Sequence, residues 1–382
     1  MKSEEYKEYC ELLKNTVLPT GINQEEANKR LSPLIEWVFN HTPQNLYKFR
    51  VCNDNNIDAF RNRQIWFATG SQMNDDFDAL IYCDKEKIMR DLNNQFDENG
   101  NLKILTYLKM AGDVPEIIKA RFSKEFVDNA NLKIKNASDT EIKELSLQIR
   151  MYIENELTNH FPFIAQLEQN LVKFSSFSED ICSPLMWGHY SNNSTGFALA
   201  YDFRNAQYNE CATCEKRGYT CFEPKSNLLF PIIYEDKILD ATDFARYSMQ
   251  QSMTRRLFLN SEIPQPFFEQ ILASVVCLDL FMQTKIVLQK SKDWQPEKEW
   301  RLSVNYNSPN YLTDKNTCVI KSPCALYLGR KIKETDELIL RNIAYQQQIP
   351  VYKMEIESNS DEYLLKPKEV SNTKEDLILK FR

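Results

Sequence analysis

Glycine is scarce in this chain, with 8 residues in 382, beside 15 prolines. That scarcity excludes collagen-like, fibrous and low-complexity architectures, which need far more of both. Histidine is scarcer still, with only His41, His160 and His189, so any histidine-based chemistry has few candidates. No run of about eighteen apolar residues occurs, so no membrane-spanning helix is expected. Met1 to Lys14 alternates acidic, basic and aromatic residues and lacks the apolar core of a signal peptide. There is no Walker loop, no dinucleotide-binding glycine fingerprint, no His-Glu-x-x-His and no nucleophile elbow. The commonest nucleotide folds and hydrolases are thereby set aside. A basic surplus is missing too: the net charge is -7 and the pI near 5.4. General binding to duplex DNA, which rests on neutralising phosphates, is therefore not expected.

What is present is enough apolar material for a sizeable core, 42% hydrophobic and 12% aromatic. The length suits two domains, or one domain with a large insertion. Ten cysteines are scattered along the chain. Without a signal segment they read as reduced thiols of a cytoplasmic protein.

Residues 1–45 carry apolar residues at helical spacing, Leu12, Leu13 and Val17, then Leu31, Leu34, Ile35 and Val38. They form an N-terminal helical segment. Residues 46–356 are read as one α+β domain, and 357–382 as a C-terminal tail. Within the domain, alternation or short apolar runs predict strands at Leu46–Arg50, Gln64–Ala68, Leu171–Phe177, Phe197–Tyr201, Trp300–Val304, Ala325–Leu328 and Val351–Ile356. Helical spacing marks two blocks, an insertion at 84–170 and a stretch at 241–290. A single mixed sheet with two helical blocks is the expected architecture.

The stretch from Leu185 to Asp202 organises the rest. A proline opens a short helix through Trp187 and His189 to Tyr190. Asn192, Asn193, Ser194 and Gly196 make a polar turn, and a buried strand follows. Such a turn is a candidate ligand-facing edge; the plain alternative is a packed aromatic helix with an ordinary turn.

These pieces resemble a bacterial family known only as a domain of unknown function (twenty-nine seventy-one). The resemblance rests on Leu46-Tyr47-Lys48-Phe49-Arg50, on Ile65-Trp66-Phe67 followed by Met73-Asn74-Asp75-Asp76-Phe77-Asp78, and on Phe177-Ser178. It continues through Leu185-Met186-Trp187-Gly188-His189-Tyr190, Lys298-Glu299-Trp300-Arg301 and Leu328-Gly329-Arg330. It implies a cytoplasmic bacterial protein and brings no assigned chemistry.

A second, fold-level resemblance is to ADP-ribosyltransferases of the Arg-Ser-Glu class, with bacterial defence as a setting. Arg50 on the first core strand, the serines of Phe174-Ser175-Ser176-Phe177-Ser178 and the Glu297-Lys298-Glu299 run stand in that order. The resemblance implies NAD as co-substrate, a small-molecule nucleotide, and a protein or nucleic-acid acceptor. Arg50, Tyr47, Ser176, Ser178, Tyr190 and Arg301 would then bind the nucleotide. Glu299 would stabilise an oxocarbenium-like transition state, Glu297 would act at the acceptor, and His189 is a candidate base. The sequence departs from the class in lacking its Ser-Thr-Ser and the glycine after the arginine. Two alternatives stay open. The charged residues could be structural ion pairs, and the chain a non-catalytic ligand-sensing or protein-interaction module.

Two further groups invite a metal. Asn74, Asp75, Asp76 and Asp78 offer oxygen ligands but lack the glycine and distal glutamate of a calcium loop; capping is the plainer role. Cys211, Cys214 and Cys221, in a loop at 203–230, make half a zinc site plus one ligand, with Cys182 as a conceivable fourth.

Overall fold

The computed structural model describes residues 3–19, 22–110, 112–114, 119, 123–159, 166, 169–170, 172–204, 229–247, 279–305, 317–318 and 321–375. In chain order the strands are β1 (Leu46–Arg50), β2 (Ile65–Trp66), β3 (Ile81–Tyr82), β4 (Val172–Ser178) and β5 (Phe197–Tyr201). Next come β6 (Leu229–Pro231), β7 (Ile233–Glu235), β8 (Leu239–Asp240), β9 (Gln289–Ser291) and β10 (Glu299–Asn305). Last are β11 (Thr317–Cys318), β12 (Ala325–Leu328), β13 (Val351–Ile356) and β14 (Leu365–Val370). The class is α+β. An eight-stranded mixed sheet runs β14-β13-β12-β5-β1-β4-β10-β6, with three small two-stranded sheets beside it. Only β12 and β13 pair in parallel within the large sheet, and the Glu334–Gln347 helix makes the crossover that parallel strands require.

Alternating side chains cover both faces of this sheet. Phe177, Leu199, Tyr201, Trp300, Leu302 and Leu326 join one core, which also takes in Tyr9, Leu34 and Trp37 of the two N-terminal helices. Phe49, Ala198, Ala200, Ala325 and Tyr327 face the other way, against Met186 and Trp187 of the Pro184–His189 helix. β5, Phe-Ala-Leu-Ala-Tyr, is buried at every position, as a central strand covered on both sides must be. Trp187 is fully buried, its indole N–H donates to the Ile181 carbonyl at 2.6 Å, and its ring meets Phe49 edge-on at 5.1 Å. These contacts seat the short helix against β1.

Four expectations need correction. Phe67 lies outside the large sheet: its neighbours Ile65 and Trp66 pair with β11, and only Ala68 bridges to Phe174 of β4. The stretch read as a C-terminal tail supplies β14, paired along its whole length with β13. Its Leu-Lys-Pro-Lys-Glu-Val alternates weakly and contains a proline, which suits an edge strand alone. Glu297, expected in a loop because it follows Pro296, closes a 3₁₀ turn, Lys292–Glu297. The run Pro231–Tyr234, expected as one strand, is divided between the end of β6 and the start of β7.

The helices between residues 85 and 159 build a core of their own from Ile88, Leu92, Leu105, Leu108, Ile134 and Ile149. Most of the second helical block and of the cysteine loop, Cys211, Cys214 and Cys221 included, lies outside the described residues. No helix among the described residues is long and apolar enough to cross a membrane.

Candidate functional site

The large sheet comes apart at one seam. β1 pairs with β5 at all five of its residues, from Leu46 to Arg50, but with β4 only at Tyr47 and Ser178. Beyond that pair the strands diverge. β4 turns its Phe174 backbone to Ala68 instead, at 2.8 and 2.9 Å, and the Lys48 ammonium reaches across the gap to the Ser176 carbonyl at 2.9 Å. A cavity of about 230 Å³ fills the seam. Its walls include Tyr47, Lys48, Phe49 and Arg50 from β1, Ser175, Ser176 and Ser178 from β4, and Trp66, Asn74, Tyr190, Lys290, Glu297 and Glu299. The cavity thus touches four consecutive residues of β1, along the edge that β4 leaves unpaired.

The turn after the Pro184–His189 helix fixes the β1 end of this cavity. Asn192, Asn193 and Ser194 all have positive φ, between 50° and 66°, a conformation asparagine tolerates better than most residues. The turn then passes so close to β1 that a Cβ on Gly196 would meet the Arg50 carbonyl oxygen at 2.1 Å. A side chain at that position would push Arg50 out of register.

The acidic wall is held by a network of buried charges. Arg301, fully buried, grips Asp78 with two parallel bonds of 2.6 and 2.7 Å. The same guanidinium binds Glu299 at 2.6 and 3.2 Å and donates to the Val287 carbonyl at 2.8 Å. Lys290 bridges the two glutamates, at 2.9 Å to Glu297 and 3.3 Å to Glu299. Tyr190 donates to the other Glu297 oxygen and accepts from the Asn74 amide at 3.1 Å. Backbone contacts fix the register: Glu299 N–H donates to the Tyr234 hydroxyl at 2.8 Å, and Ser178 Oγ donates to the Glu297 carbonyl at 2.7 Å. Lys298, left-handed at φ 46°, turns the chain so that both flanking carboxylates meet Lys290.

Two glutamates side by side end up with opposite acidities. Burial opposes the charge on Glu299, yet Arg301 and Lys290 outweigh it and hold the carboxyl at about 2. Burial pushes Glu297 upward, Lys290 offsets part of that, and the neighbouring Glu299 charge adds to the rise. Environments that separate two carboxyls in this way are what acid–base chemistry uses, and also what buried ion-pair networks produce. The cationic wall is arranged differently. Lys48 and Arg50 project to one side of β1, and neither has an ion pair with a carboxylate among the described residues. Burial, then the Arg50 charge, push Lys48 well below the ordinary lysine range. Burial lowers Arg50 as well.

The structure therefore gathers Arg50, Tyr47, Ser176, Ser178, Tyr190, Glu297 and Glu299 in one cavity. Two expected members stand apart. His189 is exposed at the end of its helix, outside the cavity lining, because the one-residue step to Tyr190 rotates it away from the seam. Arg301 lies behind the wall, all its donors spent on Asp78, Glu299 and Val287. The polar turn residues Asn192 and Asn193 are exposed and do not line the cavity either. Asp78 is the partner of Arg301, Asp75 accepts from the Phe77 N–H, and Asn74 holds Tyr190, so the acidic loop braces the wall. No group of three or more potential metal-ligating side chains occurs among the described residues. Sequence reasoning missed Lys48 and Lys290. Lys48 left a trace, a charge at an inward position of an apolar strand; Lys290, at the end of a helical block, left none.

These features define an α+β protein with a charged cavity at a split in its sheet. Residues 186–302 match the model of a family described as a protein of unknown function (DUF2971). The match takes in Trp187 and, on the acidic wall, Lys290, Glu297, Glu299 and Arg301; it leaves out Asp78 and β1 with Lys48 and Arg50. No curated protein and no solved structure matches the chain.

Proposed function

We propose that the cavity binds NAD and breaks its bond to nicotinamide, passing ADP-ribose to a protein or nucleic-acid acceptor or to water, in the cytoplasm. One observation carries the reading: a single cavity sets an arginine with no carboxylate partner among the described residues opposite two glutamates whose acidities are shifted in opposite directions. Arg50 takes the diphosphate as a bidentate fork. At about 230 Å³ the cavity encloses only part of a dinucleotide, since whole small-molecule sites run to roughly 300–1,000 Å³. The nicotinamide ribose sits inside, and the adenosine lies towards the half-exposed Trp66 at the mouth.

As the C1′–N bond breaks, its electron pair leaves with nicotinamide and positive charge grows on the ribose. Glu299, held ionised, faces that charge and stabilises it. Glu297, whose burial makes it the weaker acid and the stronger base of the pair, takes the proton from the attacking acceptor or water. Tyr190 and Asn74 orient Glu297, while Asp78 orients Glu299 through Arg301.

The full engagement of Glu299 favours a second reading, a non-catalytic ligand-sensing module. Both its oxygens are taken by Arg301 and Lys290, which is the pattern of a structural brace. Incubation of purified protein with NAD, following nicotinamide, separates the two. Wild type should release nicotinamide, and Glu299→Gln should release it about two orders of magnitude more slowly, ~3 kcal/mol of transition-state stabilisation, with NAD still bound. Wild type that binds NAD without turnover supports the sensing module. Protein that neither binds nor consumes NAD, with acceptors supplied, ends the transferase reading.

A further inference from the structure

The proposed chemistry leaves Lys48 unused, and its placement is unlike that of the chain's other described lysines. Its amine is buried, lines the cavity, donates to a single backbone carbonyl and lies 4.9 Å over the Phe177 ring. Lys290 and Lys285, the other buried lysines, each have a carboxylate at 2.9 Å or less. Lys48 has none among the described residues, and the guanidinium two residues on faces the same side of β1.

We propose that Lys48 is a reactive amine that condenses with small carbonyl compounds bearing a carboxylate or phosphate, the anion being held by Arg50. A buried amine without a carboxylate partner, beside a second cation, is stabilised as the neutral base, and the neutral base is the nucleophile. The charged groups around it are Arg50 on its own strand, which repels a proton, and Glu299 on β10, which attracts one; burial and Arg50 together outweigh Glu299. Lys290 and Glu297 share the cavity and neutralise each other.

In the reaction the Nζ lone pair attacks the carbonyl carbon and the C=O π pair moves to oxygen. A proton passes from nitrogen to that oxygen, giving a carbinolamine. Loss of water leaves the imine. No oxidant or reductant is consumed, and the site does not depend on whether the chain acts on NAD.

The test is competitive trapping on folded wild-type protein. Glyoxylate is supplied at neutral pH with cyanoborohydride, which reduces each imine to a stable carboxymethyl-lysine, and the adducts are mapped by mass spectrometry. Each unit of depression raises the neutral-amine fraction about tenfold. Lys48 should therefore be labelled at least about tenfold faster than the exposed lysines, and the preference should vanish in urea. Labelling of Lys48 at the exposed-lysine rate, or none, would overturn the proposal without reference to any variant. Arg50→Met should depress labelling by glyoxylate more than labelling by uncharged acetaldehyde. An unchanged ratio of the two would refute the role given to the anion. Lys48→Arg should lose the adduct altogether, and retention of a rapid adduct elsewhere in the cavity would contradict the assignment.

Discussion

The two walls of the cavity handle charge in opposite ways. On the acidic wall every ionised group has a partner: Asp78 with Arg301, Glu299 with Arg301 and Lys290, Glu297 with Lys290 and Tyr190. On the cationic wall Lys48 and Arg50 have no carboxylate among the described residues. The first wall is closed and belongs to the fold. The second is held apart from counter-charges by the split between β1 and β4, and on the proposed reading it receives an anion from outside. Breaking a closed pair should cost stability, whereas removing an open charge should cost binding.

The largest effect is expected at Asp78. Asp78→Ala leaves Arg301 buried with two of its five donors unpaired, and such losses run to about 3–5 kcal/mol. Urea denaturation should show that drop; a loss below about 1 kcal/mol would mean that the acidic wall is not closed. Glu299 gives a pH-dependent version of the same test. Its folded value of about 2 lies below the ordinary 4.5. Its contribution is thus present above pH 4.5 and is lost as pH falls towards about 2, worth about 3 kcal/mol. The stability difference between wild type and Glu299→Gln should shrink over that window, and a difference independent of pH would argue against a depressed Glu299.

Tyr190→Phe removes one hydrogen bond to a buried carboxylate. About 2 kcal/mol of stability should go with it, and the Glu297 carboxyl should titrate still higher, since the tyrosine contact lowers it. Carboxyl NMR on wild type and variant would show the rise; no movement would remove Tyr190 from the orientation of Glu297. The smallest effect is expected on the open wall. Arg50→Met should stay within about 1 kcal/mol of wild type in urea, or exceed it, because no carboxylate loses a partner. A loss as large as that at Asp78 would erase the distinction between the walls.

Much of this was legible in the sequence where one residue type had one plausible environment. Phe197–Tyr201, Ala325–Leu328 and Val351–Ile356 form strands with the expected bounds, since short apolar runs between turn residues have few alternatives. Of the polar residues beside buried strands expected to converge, Arg50, Tyr190 and Glu299 meet in the cavity, and Glu297 joins them. Three things were not legible. Arg301 and His189 are as polar as their neighbours, and only the strand register and the helix rotation decide that one braces the wall from behind and the other faces away. Asp78 finds its partner 223 positions along the chain, beyond any local pattern. The split between β1 and β4, which makes the cavity, is a property of pairing and leaves no mark in either strand alone.

The most direct test of an open cationic wall is calorimetric titration of NAD into wild type and into Arg50→Met, with folding of both checked by urea denaturation. The account predicts binding to wild type that weakens with added salt. It also predicts at least about tenfold weaker binding to Arg50→Met, ~1.4 kcal/mol, at unchanged stability. Equal affinity of the two proteins for NAD, or no binding by wild type, would contradict it.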